Sequence, residues 1–524
     1  MLSVEEVKTL ISSSSLKSCS LDPVPTTVLK NCSDFVAPLI THIINKSLSK
    51  SFMPRSLKQA IVLSLLKKAS LEKIPKNYRP VSNLPFLGKL IEKAVSLQFT
   101  DHIDTHSLSE PLQSAYKKLH STETALIKIT NDILVELDNR NIVLAGLLDL
   151  SAAFDTVDYE VLFRRLETSY AFDGAVMAWF RSYLSDRSQV IAVSGCTSSP
   201  VELDNGMPQG SILGPKVYNE YTMPLGILLR LLAFIYHSFA DDSQLLKAAN
   251  PNSTTSQLRA SQALESAIDQ VGSWMNDNRL KLNEDKTEFL VFSSKRNSST
   301  ILIESLTLGE EIVQRVPVAR NLGVHLDSEL SYEHHIKYLC KVCYANIKAV
   351  WKIRRYLTHD ATKTVIHALV ISKLDYANAL LFGIPEKFIR KLQLVQNSAA
   401  RVVTLTKRSD HIKPALKSLH WLPVKERIQF KISVLVFKAR NGLSPDYLAQ
   451  MLTPYEPPRK LRSSTGNLLV QPSYNLKGYG HRAFSVAGPQ LWNQLPDHIR
   501  SCNTLSNFKR NLKAYYFRKA YGSL

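Results

Sequence analysis

The chain has 524 residues, 44% hydrophobic and 21% charged, with 6 Cys. That composition excludes wholesale disorder, a collagen-like repeat and a disulfide-stapled miniprotein, and at about 150 residues per domain the length implies roughly three domains. The charge is more informative: 65 Lys and Arg against 45 Asp and Glu give +20, and after position 330 there are 32 basic and 9 acidic residues against 33 and 36 before it. A near-neutral two-thirds joined to a strongly basic third reads as a catalytic body with a module that holds a polyanion. The bland alternative is a basic, solubilising surface. The N-terminal MLSVEEVKTLI has no positive or apolar signal region. The longest apolar stretch, Leu225 to Tyr236, is interrupted by Arg230 and falls short of the ~20 residues of a membrane helix. The expectation is a soluble, intracellular chain that does not engage a membrane.

In chain order, Val36, Leu39, Ile40, Ile43 and Ile44 recur at helical spacing, and Met53-Pro54 closes that helix. Gln59 to Leu66 is a β-rich run that stops at Lys67-Lys68, and Tyr78-Arg79-Pro80-Val81 resumes it. The two runs are expected to pair as a hairpin with basic residues at its tip. Ile142 to Leu150 is a short apolar run, as in a strand buried on both faces. Tyr159 to Leu166 reads as helix, Gln189 to Ser194 and Val201 to Leu203 as strands, and Ser211 to Leu229 as helix. Phe234 to Leu246 reads as two short strands flanking Asp241-Asp242, Leu258 to Asn276 as helix, and Phe289 to Phe292 as strand. Residues 301–330 read as one small hairpin. From Ser331 the pattern is helical and basic, and Lys337, Lys341, Lys348 and Lys352 fall on one stripe of a 3.6-residue helix. A proline-rich stretch, Pro454 to Pro458, reads as a linker. Residues 1–47 are expected to be an N-terminal helical extension, 48–327 the main domain, 328–455 a basic helical module and 456–524 a basic C-terminal segment.

Three acids then stand out. Asp149 falls near the end of the apolar strand, and Asp241 and Asp242 lie between two short apolar strands. A carboxylate at the end of a buried strand is costly unless a cation or donor compensates it, and adjacent carboxylates raise each other's pKa. A divalent cation removes both penalties, and two ions about 3.5–4 Å apart serve phosphoryl transfer. Each acid taken alone is more often a solvated loop residue.

The segments LLDLSAAFDTVDYEVL (147–162), NGMPQGSILGP (205–215), FADDSQLL (239–246), LKLNEDKTEFL (280–290) and NLGVHLD (321–327) occur in that order. They resemble motifs A to E of reverse transcriptases. Upstream, KNYRPVSNLPFLGKLIEKAV (76–95) and QSAYKKLHSTETAL (113–126) resemble the fingers motifs of LINE-type, non-LTR retrotransposon enzymes. Downstream, SKLDYANALLFGIP (372–385), LHWLPVKERIQFK (419–431) and RAFSVAGPQLWNQLP (482–496) resemble the tail of the Jockey-like branch.

The resemblance implies an α+β right-hand polymerase of fingers, palm and thumb, ending in a basic, mostly helical region. It implies an RNA-directed DNA polymerase that extends a primer 3′-hydroxyl by two-metal chemistry, with Mg²⁺ as the metal and Mn²⁺ as a substitute. Its partners would be an RNA template, a DNA primer and dNTPs; target-primed synthesis would suit the nucleus, and the sequence itself does not decide between nucleus and cytoplasm. Asp149 and Asp241 match the metal-binding carboxylates, and Asp242 the acid beside them. Phe154 matches the steric gate against a ribose 2′-OH, with core packing as its plain alternative. Arg79 matches the arginine that grips the triphosphate through charge-assisted bonds, with Lys67 and Lys68 assisting. Gln209 and Gly210 match the turn that lies against nucleotide and template. Lys286 matches a proton donor to pyrophosphate, with a salt bridge to Glu284 or Glu288 as the alternative. Lys337, Lys341, Lys348 and Lys352 would track the template–primer backbone.

The chain departs from the family pattern at Ala115, Lys117, Tyr159, Met207 and Lys216. None of these is one of the three acids, but together they raise the alternative of a drifted copy that folds and binds RNA without polymerising. The family's endonuclease domain has no counterpart here, so the chain reads as 5′-truncated. Cys340-x-x-Cys343 lacks a second ligand pair at zinc-knuckle spacing.

Overall fold

The computed structural model describes residues 1–68, 71–74, 77–151, 154–193, 195–283, 286–309, 311–456 and 467–522. Of the residues singled out above, Lys76, Ala152, Ala153, Ser194, Glu284, Pro457 and Pro458 lie outside them. The chain is α+β and forms two compact units. The first comprises Met1–Tyr116, Asp149–Leu231 and Gln270–Asn283, the second Lys117–Leu148, Leu232–Asp269 and Glu284–Leu524.

In the first unit, β1 (Ala60–Leu66) and β2 (Tyr78–Asn83) form the expected antiparallel hairpin, with Leu65 opposite Arg79. β1 also pairs in parallel with β5 (Arg187–Val193), which carries β6 (Cys196–Thr197) and β7 (Val201–Leu203) on its other edge. A smaller ladder joins β4 (Leu150–Ser151) to β10 (Lys281–Leu282). The helix Phe86–Thr105 buries Phe86, Leu90, Ile91, Ala94, Val95 and Phe99 at helical spacing, with Glu92 among them. The helix Gly174–Leu184 adds aromatic packing, with Trp179 stacked on Tyr183 at 5.2 Å. The predicted helix around Val36–Ile44 spans Ser33–Ser49, and the helix Val4–Ser12 before it is closed by a Ser3/Glu6 capping box.

The second unit is built on a four-stranded antiparallel sheet. Its order is β11 (Glu288–Phe292), β3 (Ile142–Leu148), β9 (Asp242–Ala249), β8 (Ile235–Phe239). The central strand β3 is buried along almost its whole length. The helix Thr122–Asp138 packs on the sheet. Leu264 and Ile268 of the helix Thr254–Asp277 approach Gly146, where a Cβ would already stand 3.4 Å from Ile268. A Cβ at Gly146 would make ordinary van der Waals contact with that helix. Residues 301–330 hold two hairpins where one was expected: β12 (Ser305–Leu308) with β13 (Glu311–Gln314), and β14 (Val318–Asn321) with β15 (Val324–Asp327).

The helical region after Ser331 is as the periodicity indicates. Glu333–Ile353 packs on Glu386–Thr404, and Val424–Arg440 packs on Phe484–Asn493 and Leu505–Tyr521. Hydrogen bonds tie the segment 475–485 into this unit. Asp138 accepts from the backbone N–H groups of Asn475 and Leu476, and Asn131 Oδ1 accepts from that of Ser485. Arg482, 9% exposed, donates to the Leu330 carbonyl at 2.6 Å. Among the described residues no helix is long and apolar enough to cross a membrane.

Candidate active site

In the first unit the Pro208-Gln209-Gly210 turn is docked on two other segments. Ser82 of β2 donates its N–H to the Gln209 carbonyl at 2.8 Å. Gly210 has φ +145°, and a Cβ there would overlap the Ser82 carbonyl oxygen. On its other side the turn meets the segment after Asp149. Met207 N–H donates to the Phe154 carbonyl at 2.7 Å and Gly206 N–H to the Val157 carbonyl at 2.8 Å. Gly206 has φ +81°, and its Cβ would stand 2.7 Å from the Asp155 carbonyl oxygen. The Gln209 amide donates to both carboxylate oxygens of Asp155 at 3.1 Å. Burial raises the Asp155 carboxyl from its ordinary value, and the Gln209 amide offsets part of that rise. The candidate segments of Arg79, Phe154, Gln209 and Gly210 thus come together through backbone bonds.

Within that assembly the Phe154 ring stacks on buried Tyr218 at 4.7 Å and meets Tyr116 edge-on at 6.3 Å. It is half-buried, so one part of it packs and another is accessible. Arg79 is exposed on β2, and Lys67 and Lys68 are exposed at the hairpin tip, where Lys67 N–H donates to the Asn77 carbonyl. Asp149 is half-buried and is positioned by Asn283, which donates its N–H to the Asp149 carbonyl and its amide to Oδ2. Two of the departures from the family pattern, Tyr159 and Lys216, have hydrogen-bond partners. Tyr159 donates to the Gly206 carbonyl at 2.8 Å, and Lys216 donates to Ser96 and Thr100.

One residue the sequence reading missed holds the turn from behind. Glu92 is 1% exposed. Its carboxylate accepts from Ser211 Oγ at 2.9 Å, from the Ile212 N–H at 2.6 Å and from the Tyr183 hydroxyl at 3.0 Å. It therefore satisfies backbone donors ahead of the helix Gly214–Leu231, where a helix N-terminus favours an anion. Burial, aided by that carboxylate, pushes the Tyr183 phenol far up, so it remains a donor. Glu92→Ala should cost about 3 kcal/mol or more, since several buried donors lose their acceptor at roughly 1–3 kcal/mol each. Thermal unfolding should show a lower midpoint, and Glu92→Gln a smaller fall; a midpoint within a degree of the parent would sink the assignment.

In the second unit Asp241 lies in the two-residue turn between β8 and β9. Phe239 pairs with Asp242, and Ala240 and Asp241 form the loop. Ala240 has φ +57°, in the position a type II′ turn usually gives to glycine. Asp241 and Asp242 are half-buried. Asp242 opens β9 beside Ser243, the register partner of Leu148, and Leu148 directly precedes Asp149. Lys286 is exposed just before β11. Gln244 donates to Asn321 of β14 at 3.3 Å. The Tyr376 hydroxyl donates to the Leu322 carbonyl at 2.6 Å, and the Tyr376 ring lies over Gly323, which has φ +86°. A helical downstream motif is thereby fastened to the β14–β15 hairpin.

Among the described residues no group of three or more His, Cys, Asp or Glu side chains is arranged to hold a metal ion. An all-protein cage is therefore absent from that set. The carboxylate oxygens of Asp149, Asp241 and Asp242 are hard donors of the kind a divalent cation takes, with its other positions left to water and phosphate.

Lys337, Lys341, Lys348 and Lys352 are all exposed on the helix Glu333–Ile353, opposite a face that buries Ile336, Leu339, Cys343, Ile347 and Val350. Lys337 pairs with Glu333 at 2.8 Å, so the stripe is partly neutralised. Exposed Tyr344 and Trp351 share the lysine side by helical spacing, aromatics that the charge count passed over.

A profile of the family described as reverse transcriptase (RNA-dependent DNA polymerase) matches residues 66–340. The chain is 27% identical over 479 residues to a probable RNA-directed DNA polymerase from transposon BS of Drosophila melanogaster, covering 90% of this chain and 52% of that protein. It is 22% identical over 412 residues to the RNA-directed DNA polymerase from mobile element jockey of the same species, covering 77% and 44%. To the probable RNA-directed DNA polymerase from transposon X-element it is 23% identical over 371 residues, covering 70% and 40%. The chain spans about half the length of these relatives. A telomerase structure from Candida albicans is similar only at a TM-score of 0.32 and 13% identity, over 75% of this chain and 66% of that one, too remote to place residues. The matched span covers more than half of the chain and contains Arg79, the three acids, the docked turn and Lys286 in order, so the protein belongs to the reverse transcriptase family.

Proposed function

We propose that this chain is an RNA-directed DNA polymerase that copies a non-LTR retrotransposon, extending a DNA primer along an RNA template. The reaction is in-line attack of the primer 3′-hydroxyl on the α-phosphate of a dNTP. The observation that carries the reading is the docking of the Gln209-Gly210 turn between Ser82 of the arginine-bearing strand and the Phe154 segment. Residues 48–327 would be fingers and palm, 328–455 thumb and connection, and 456–524 a basic C-terminal segment.

Asp149 and Asp241, with Asp242 as the neighbouring acid, would hold the Mg²⁺ ions, a role that rests on their match to the family's motifs. Bound there, Mg²⁺ supplies activation of the attacking oxygen and neutralisation of phosphate charge. The chain's own groups do the rest. Arg79 and the tip lysines Lys67 and Lys68 bind the triphosphate, Gln209 and Gly210 shape the nucleotide's floor, and Lys286 gives a proton to the leaving pyrophosphate. The lysine stripe at 337, 341, 348 and 352 tracks the template–primer backbone. Primer extension on an RNA template by the purified protein, with Mg²⁺ and dNTPs, tests the reading. Extension supports it; bound RNA without extension overturns it in favour of a non-catalytic copy.

Phe154 gives the reading a specificity test. Its ring is anchored by Tyr218 and half-exposed, which suits a wall against a 2′-hydroxyl. Phe154→Ala should raise ribonucleotide incorporation relative to dNTP by at least about tenfold, the effect of some 1.4 kcal/mol of lost discrimination. An unchanged ratio in competition assays would make Phe154 packing alone.

A further inference from the structure

The second unit carries a cationic cleft that the polymerase reading does not use. It has a volume of about 520 Å³ and is bordered by Arg140, Lys295, Arg296 and Lys477, with Asn252, Asn475 and Tyr479 among its other lining residues. No Asp or Glu is among the described lining residues. The strands explain the convergence. Arg140 precedes the start of β3, Asn252 follows the end of β9, and Lys295 and Arg296 follow the end of β11. In this antiparallel sheet those three ends lie on one edge. Asp242 opens β9 at the other edge, and eight residues at about 3.4 Å each put the two ends roughly 20 Å or more apart.

The fourth wall is the segment around Lys477, and it is built rather than draped. Asp138 accepts from the Asn475 and Leu476 N–H groups at 2.9 and 2.6 Å, and a Cβ on Gly480 would collide with that carboxylate. The Asp138 charge is thus spent on holding the wall. Asn297 donates its amide to the Arg140 carbonyl at 3.2 Å, fixing the floor. Among the described residues the acid that pairs with a lining cation is Glu329, 3.7 Å from a Lys295 side chain that is 82% exposed, an arrangement worth little. Among the described residues Arg140, Arg296 and Lys477 make no ion pair.

We infer that this cleft binds the phosphodiester backbone of single-stranded RNA, at the end of the sheet opposite Asp242. Cations held by a fixed backbone, three of them in no ion pair among the described residues, attract phosphates, and amide or hydroxyl hydrogens not already engaged suit sugar and phosphate oxygens. The cleft is open and lined by separate chain segments, which suits a strand passing through better than a small anion enclosed on all sides. The inference rests on the reading that the chain handles RNA. It adds a second grip on the template, one that would hold RNA while the primer end moves through the polymerase site.

The test uses the full chain with Arg140, Lys295, Arg296 and Lys477 all changed to Gln. The probe is a single-stranded RNA of about 12 nucleotides, within the site sizes of single-strand binders. At about 0.7 per phosphate contact, losing four should flatten the slope of log affinity against log salt by about three units. Affinity at low salt should fall at least tenfold, while extension from a saturating, pre-annealed primer–template and the melting temperature stay near the parent. An unchanged slope overturns the inference. Equal displacement of the RNA by inorganic phosphate or by polyglutamate at matched charge also overturns it, by showing a site for any anion. Failure of the polymerase reading is separable: it appears as a parent that does not extend, whatever the salt slopes show.

Discussion

Asp241→Asn should abolish primer extension and leave RNA affinity within about twofold of the parent. Asn preserves the side chain's shape, and the site is a two-residue turn, where Asn is as well suited as Asp. The turn therefore survives. The substitution removes one negative charge from a group proposed to hold Mg²⁺, and a neutral amide oxygen is a far weaker ligand for a hard cation. Metal assistance to phosphoryl transfer is worth several kcal/mol, so the extension rate should fall at least about a thousandfold. On the proposed reading RNA affinity depends instead on Lys and Arg contacts to phosphates, and 32 basic residues lie after position 330, far from this turn in sequence. Single-turnover extension and filter binding on the same preparation measure both. An equal loss of both would show an unfolded protein, and retained extension would remove Asp241 from the chemistry.

Much of this site was legible because its elements are short and sharply punctuated. The apolar run from Ile142, the FADDSQLL hairpin and the β1–β2 hairpin each follow from local alternation or from a turn signal, and each forms as expected. The parallel pairing of β1 with β5 was not legible, because it joins Ala60 to Gln189 and no local pattern specifies so distant a partner. Glu92 was missed for a related reason. A glutamate within a helix ordinarily faces water, and its acceptor role depends on N–H groups 120 residues away. Ala240 carries no sequence signal either, since its left-handed backbone comes from the hairpin register rather than from its own preference. The tail motifs were recognisable, but what they fasten was not. Tyr376 anchors the β14–β15 hairpin and Asp375 pairs with Arg427, contacts that only the folded unit reveals. The two hairpins in residues 301–330 were read as one because the turn at Gly309 sits among polar residues that resemble a loop.

Gly210→Ala should reduce primer extension by about a hundredfold, and Gly195→Ala should not. Both glycines have positive φ, +145° at Gly210 and +85° at Gly195, so both substitutions strain the backbone by roughly 1–3 kcal/mol. Their surroundings separate them. Nothing lies within 4 Å of a Cβ at Gly195, whereas at Gly210 the Cβ would overlap the Ser82 carbonyl oxygen. Ser82 cannot retreat easily, because β2 is paired along β1, with Val62 opposite Ser82. The turn must move instead. Moving it breaks the bond from Ser82 N–H to the Gln209 carbonyl and pulls the Gln209 amide away from Asp155. Each such loss costs about 1 kcal/mol, and with the strain the total approaches 3 kcal/mol, about two powers of ten in rate if the turn shapes the nucleotide's floor. The turn's other fastening, through Glu92 to Ser211 and Ile212, limits how far the damage spreads. The melting temperatures of the two variants should therefore differ much less than their rates. Equal rates for Gly210→Ala and Gly195→Ala would mean that the docked turn is a structural joint and that the nucleotide is held elsewhere.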